Sequence, residues 1–87
     1  MIVPIEASIE PVRNGVQARG AAIGLVGQGT DEAAALRSLQ RAALGWCLGL
    51  ARAGALESVL TRRGIAWEAN GSGVEVIVHR TKDEMGS

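Results

Sequence analysis

The sequence predicts an α+β domain in the order β-β-β-α-(α)-β-β: a small antiparallel-type sheet with one long helix packed on one face. Three observations predict it. Short runs near both ends of the chain alternate apolar and polar residues, the period of a half-buried strand. Between them, apolar residues recur at helical spacing over a long stretch. Hydrophobic residues make up 47% of the chain but aromatics only 2%, so the core must be aliphatic and small, as a helix-on-sheet layer accepts.

The elements follow in order. Val3, Ile5, Ala7 and Ile9 alternate with Pro4, Glu6, Ser8 and Glu10 as a first strand, with Pro11 at its end. Asn14-Gly15 is a hairpin signal, because both residues tolerate positive φ. A second strand is expected over about Val16 to Gly20 and a third over Ile23 to Gly27, which makes an antiparallel meander. Thr30 offers an N-cap oxygen, and Asp31 and Glu32 place negative charge at the positive end of a helix dipole. The helix runs from Asp31 to Ala53 and stops at Gly54; a shorter one spans Ala55 to Arg63, stopped by Gly64. Ile65, Trp67 and Ala69 mark a fourth strand, Asn70 to Gly73 a turn, and Val74, Val76 and Val78 a fifth strand. Residues 1–80 form one domain and 81–87 a polar, fraying tail.

At 87 residues there is room for one core and no second domain. Nine basic against nine acidic residues balance, which argues against a nucleic-acid footprint. The uncharged runs Gly20–Thr30 and Ala42–Ala51 fall short of the ~18 residues a membrane span needs. No basic start followed by a long apolar stretch is visible, and a single cysteine allows no internal disulfide. A soluble, cytoplasmic domain with no membrane partner is expected.

The long helix has more than one apolar face. Leu36, Leu39, Ala43, Trp46, Cys47 and Leu50 fall on one stripe, the sheet-facing side. Ser38, Ala42, Gly45, Gly49 and Ala53 form a stripe of small residues, and Leu44 and Leu48 share the remaining sector with Arg37 and Arg41. Glycine inside a helix costs about 1 kcal/mol relative to alanine. Either the second helix and the strand edges cover these faces, or a second molecule does. The chain is therefore expected to form at least a homodimer, and Leu44, Leu48, Gly45 and Gly49 are the candidate interface for it or for another partner.

Little points to catalysis. Gly24, Gly27 and Gly29 precede a helix, but their spacing fits neither the dinucleotide fingerprint nor the P-loop, and Asp31 and Glu32 would repel a phosphate there. They read as shapers of a strand-to-helix turn. Glu6 and Glu10 share the strand face opposite Val3 and Ile5, so they read as solvent-facing. His79 is the lone histidine, and Cys47 falls on the core stripe, which leaves no His-based metal set and no Cys-His pair. Ser8, Ser38, Ser58 and Ser72 have no base beside them. No catalytic residue, metal site or cofactor is predicted.

The stretch from Gly15 to Leu50 resembles the HicB-type antitoxin domain. It carries Val16-Gln17-Ala18 at a strand end, Ile23-Gly24-Leu25-Val26 at a strand start, and Gly27-Gln28-Gly29-Thr30-Asp31-Glu32-Ala33 leading into a long helix. The later run Gly54-Ala55-Leu56-Glu57 with Leu60 and Arg63-Gly64-Ile65 is similar to a tail of some single-domain members. The chain departs from the family in lacking the prolines of its turn, in a shorter Gly20-Ala21-Ala22 link, and in Val16 where an aromatic is customary. Only Thr81 to Ser87 stands where typical members carry a DNA-binding segment, so DNA binding is not expected.

The resemblance implies a degenerate ribonuclease H-like fold without its carboxylate site. It implies a non-enzymatic bacterial antitoxin, or an orphan relative, that binds and masks a small RNA-cleaving toxin of HicA type. The alternative is a dimeric regulatory or ligand-binding α+β module of another family.

Overall fold

The computed structural model describes residues 1–69, 71, 73–81. Its elements are β1 (Ile2–Val12), β2 (Gly15–Gly20), β3 (Leu25–Gly29), α1 (Glu32–Arg52), α2 (Leu56–Arg62) and β4 (Glu75–Arg80). The α+β layout stands: one sheet, with the long helix laid across one face.

The sheet has four strands in the order β3-β2-β1-β4. β1, β2 and β3 pair antiparallel, as a meander requires. β4 pairs parallel with β1, from Ile2 opposite Glu75 to Ala7 opposite Arg80. A parallel neighbour needs a crossover, and α1 with α2 supplies it. The hairpin between β1 and β2 turns on Arg13 and Asn14, with Asn14 at φ 68°, and Gly15 already pairs with Val12.

The strand expected over Ile65 to Ala69 does not form. Only Ile2 and Glu68 bridge, through mutual amide-to-carbonyl bonds of 2.7 and 3.0 Å. In that antiparallel ladder the next hydrogen-bonded pair would be Pro4 with Ala66, and Pro4 has no N–H to give. Ile65 is buried in the core. β3 also lies two residues later than expected, because Gly20, Ala21 and Gly24 close a turn that places Ile23 in the core before the strand begins. Part of the expected 70–73 turn, and residues 82–87 of the expected tail, lie outside the described residues. Thr81 is held by its amide on the Ala7 carbonyl at 2.8 Å.

α1 begins one residue later than expected. Asp31 is its N-cap, with a carboxylate oxygen accepting from the Ala34 amide at 2.8 Å. Thr30 stands outside that role. At the other end Gly54 adopts φ 70°, the left-handed stop that glycine permits.

The sheet and α1 meet backbone to backbone. A Cβ at Gly27 would lie 2.6 Å from the Ala35 carbonyl oxygen and closer still to the Leu39 amide. One at Gly29 would lie 2.6 Å from the Ala35 amide nitrogen. Only glycine allows β3 to lie this near the helix. Around this joint Ala7, Ala18, Ala35 and Leu39 form one buried cluster, while Val3, Ile5, Ala43, Cys47, Leu60 and Val76 lie in a second. Leu39, Ile5 and Val76 are buried as the stripe demands. Leu36, Trp46 and Leu50 are half-buried at its rim, and Ala35, left out of the stripe, is fully buried. Among the described residues no single helix is long and apolar enough to cross a membrane.

Candidate interaction surface

α1 turns Leu39 into the core, so residues opposite it face outward. At ~100° per residue, Arg37, Arg41, Leu44, Leu48 and Arg52 all lie within about 40° of the direction opposite Leu39. Leu44 is half-buried and its inner part packs on the core. Leu48 is 38% exposed, one of three large exposed aliphatics among the described residues. Gly45 and Gly49 are exposed, and a Cβ at either would meet no atom within 4 Å. Among the described residues nothing outside their own helix approaches them. Ser38 and Ala42 are half-buried and Ala53 is exposed. α2 buries Leu56 and Leu60 in the core and leaves the outer face of α1 uncovered.

The charges on this face are unanswered. Among the described residues, the ion pairs are Arg80 to Glu32 at 2.7 Å and Arg19 to Glu10 at 3.4 Å, both exposed. Arg37, Arg41 and Arg52 take part in neither. Arg37 and Arg41 stand four apart, a like-charge spacing that weakens a helix by about 0.2–0.5 kcal/mol. Arg37, Gln40, Arg41 and Leu44 line an open surface groove of about 290 Å³. Gln40 is fixed there by donating to the Val76 carbonyl at 3.2 Å.

The sheet's open face has the opposite sign. Glu6, Glu10 and Glu75 are carried there, with Arg19 bound to Glu10. A polar row crosses it: Gln28 donates to Gln17 at 3.2 Å, and Gln17 donates to Glu10 at 2.8 Å. His79 is exposed beside Glu6 in the β1–β4 register. Asp31 caps α1 and Glu32 holds Arg80, so both acids at the helix start are engaged structurally. Among the described residues, no three His, Cys, Asp or Glu side chains come together to hold a metal ion. Cys47 is 0% exposed, and burial pushes its thiol above the ordinary value of 9.0. Ser58 donates to the Ala55 carbonyl at 3.1 Å.

A second recess lies where α2 meets α1. The Arg63 guanidinium sits 5.6 Å from the centroid of the Trp46 ring and donates to the Ala22 carbonyl at 3.1 Å. Trp46, Leu50, Val59 and Arg62 complete this recess of about 390 Å³. Arg63 thereby screens a half-buried indole.

Of the predicted interface, Leu48 is exposed, Gly45 and Gly49 have open space beside them among the described residues, and Leu44 is shared with the core. Arg37 and Arg41 share the sector of Leu44 and Leu48, as the sequence predicts; Gln40 and Arg52 are the additions to it. The signal was present, because residues 37, 40, 41 and 44 have the i, i+3, i+4, i+7 spacing of one helix face. The chain matches no protein-family model, no curated protein and no solved structure.

Proposed function

We propose that the protein is a non-enzymatic interaction domain of HicB-like kind, an antitoxin or orphan relative that binds and masks a small RNA-cleaving toxin of HicA type. The observation that carries the interaction reading is the outer face of α1, where Leu48 stands exposed among arginines that have no ion pair among the described residues. The HicB-like part is supported by the turn from Gly27 to Ala33. Its glycines admit the helix backbone, Asp31 caps the helix and Glu32 ties it to β4. The residues of the resemblance thus serve one structural joint.

The test is co-expression with the product of the neighbouring gene, if that is a small basic protein, and measurement of RNA cleavage with and without this domain. Suppressed cleavage and a stable complex are expected. Divalent-metal-dependent RNA cleavage by the purified domain itself, abolished by Glu6→Gln, would overturn the reading.

A second reading, a homodimeric regulatory module, draws on Gly45 and Gly49. Their open surface lets another helix approach closely, and a two-fold contact would bring the glycines to their own copies.

A further inference from the structure

We propose that the outer seam of α1 receives an amphipathic helix of another protein, with carboxylates facing Arg37 and Arg41 and aliphatic side chains facing Leu44 and Leu48. The proposal rests on the interaction-domain reading but not on the partner being a toxin.

The spacing carries the geometry. Arg37, Arg41, Leu44 and Leu48 follow one another at intervals of four, three and four residues, the repeat along which two helices pack. In such packing a side chain of one helix enters a hole bounded by four residues of the other. Arg37, Gln40, Arg41 and Leu44 line an open groove of about 290 Å³ on the helix surface, at the i, i+3, i+4, i+7 positions between which a side chain of a second helix packs. Gln40 is anchored to Val76, which holds one wall in place.

Charge selects the occupant. α1 carries Arg37, Arg41 and Arg52 outward, and its sole acid, Glu32, is engaged with Arg80. Guanidinium groups match carboxylates in bidentate geometry, so acidic residues on the incoming helix complete the seam. A nucleic acid is the poorer fit. Phosphates would make no use of Leu44 or Leu48. An anionic lipid surface is poorer too. α1 is bound along its length to the sheet, and its exposed aliphatic stripe is too narrow to sink into an interface. A second copy pairing antiparallel about residue 44 would set Arg37 near Arg52 and Arg41 near Leu48, which charge opposes.

The test uses two synthetic helical peptides of matched length. One presents glutamates opposite Arg37 and Arg41 and leucines opposite Leu44 and Leu48; the other replaces those glutamates by lysines. Binding to the full chain is read by anisotropy of a labelled peptide at low and raised salt. The glutamate peptide is expected to bind, at least about tenfold more tightly than the lysine peptide. Arg37→Glu/Arg41→Glu should reverse that order, and Leu48→Glu should weaken both. All three side chains are at the surface, so the variants should keep the wild-type circular dichroism spectrum. Equal affinity for the two peptides, or no reversal in the double charge variant, overturns the proposal. So does arginine-dependent binding of a DNA duplex or of phosphatidylserine vesicles with no binding of the glutamate peptide. RNA cleavage by the domain itself would instead defeat the interaction-domain reading, and the peptide measurement does not depend on it.

Discussion

Gly27 and Gly45 are the same residue type with opposite consequences. At Gly27 the helix backbone fills the space a Cβ would need, so Gly27→Ala must push β3 and α1 apart. Overpacking of this kind costs about 1–3 kcal/mol and sometimes more. At Gly45 a Cβ meets nothing, and Gly45→Ala replaces a poor helix former by the best one, a gain of about 0.5–1 kcal/mol. Urea midpoints should therefore move in opposite directions for the two variants. A gain at Gly27 would mean that the joint is looser than described. A loss at Gly45 would mean that something else occupies the surface there.

Cys47 illustrates the same dependence on surroundings. It is fully buried, so its thiol behaves as a small hydrophobe and not as a nucleophile. Burial raises the folded thiol above 9.0, so the unfolded chain loses that proton first. The stability contributed by the neutral thiol is complete below 9.0 and declines as pH rises from there through the folded value. Native protein should label with a thiol reagent far more slowly than denatured protein. The stability advantage of the wild type over Cys47→Ala should shrink in strongly alkaline solution.

At the scale of elements, what could be read in advance was what local chemistry decides. The alternation of Val3, Ile5 and Ala7 placed β1, and the spacing around Leu39 placed the buried side of α1. The failed strand at Ile65 to Ala69 shows the limit. Its alternation is genuine, but its partner edge begins with Pro4, more than sixty positions away, and a missing donor there ends the ladder after one bridge. The two prolines of β1 differ in effect. Pro4 faces the side where that ladder stops, and Pro11 faces the β4 side beyond the last pair, Ala7 with Arg80. Pro11 removes no bond the sheet would otherwise make, whereas Pro4 withholds the donor that the next pair with Ala66 would need. The capping error at Thr30 is smaller in kind, since two adjacent residues both offered an oxygen and the helix took the second. Asp31→Ala should cost about 0.5–2 kcal/mol and Thr30→Ala much less, by thermal or urea unfolding. Leu39→Ala, under β3 and beside Ala35, should cost about 2–5 kcal/mol. A loss near zero would move Leu39 out of the core.

For the whole molecule, a balanced formal charge hides a separation of signs. Composition alone reads zero net charge as neutrality. Folding gathers Arg37, Arg41 and Arg52 on the outside of α1, while Glu6, Glu10 and Glu75 lie on the open face of the sheet. Three-dimensional grouping of this kind is invisible to a count, and it bears on self-association. A small core gains from a partner, and Leu48, Gly45 and Gly49 leave room for one. A two-fold contact is self-complementary, so each copy brings the same arginines to the axis. Their repulsion falls off within the Debye length, about 10 Å at 0.1 M salt. At low ionic strength and micromolar concentration the scattering mass should therefore stay near 9.0 kDa. Raised salt should favour any association through Leu48, and Leu48→Glu should suppress it. A mass near twice 9.0 kDa at low salt, lowered by Leu48→Glu, would place the homodimer ahead of the separate acidic partner. Such a mass unaffected by Leu48→Glu would move the contact to a sheet edge, where β3 and β4 each leave one side without a strand partner among the described residues.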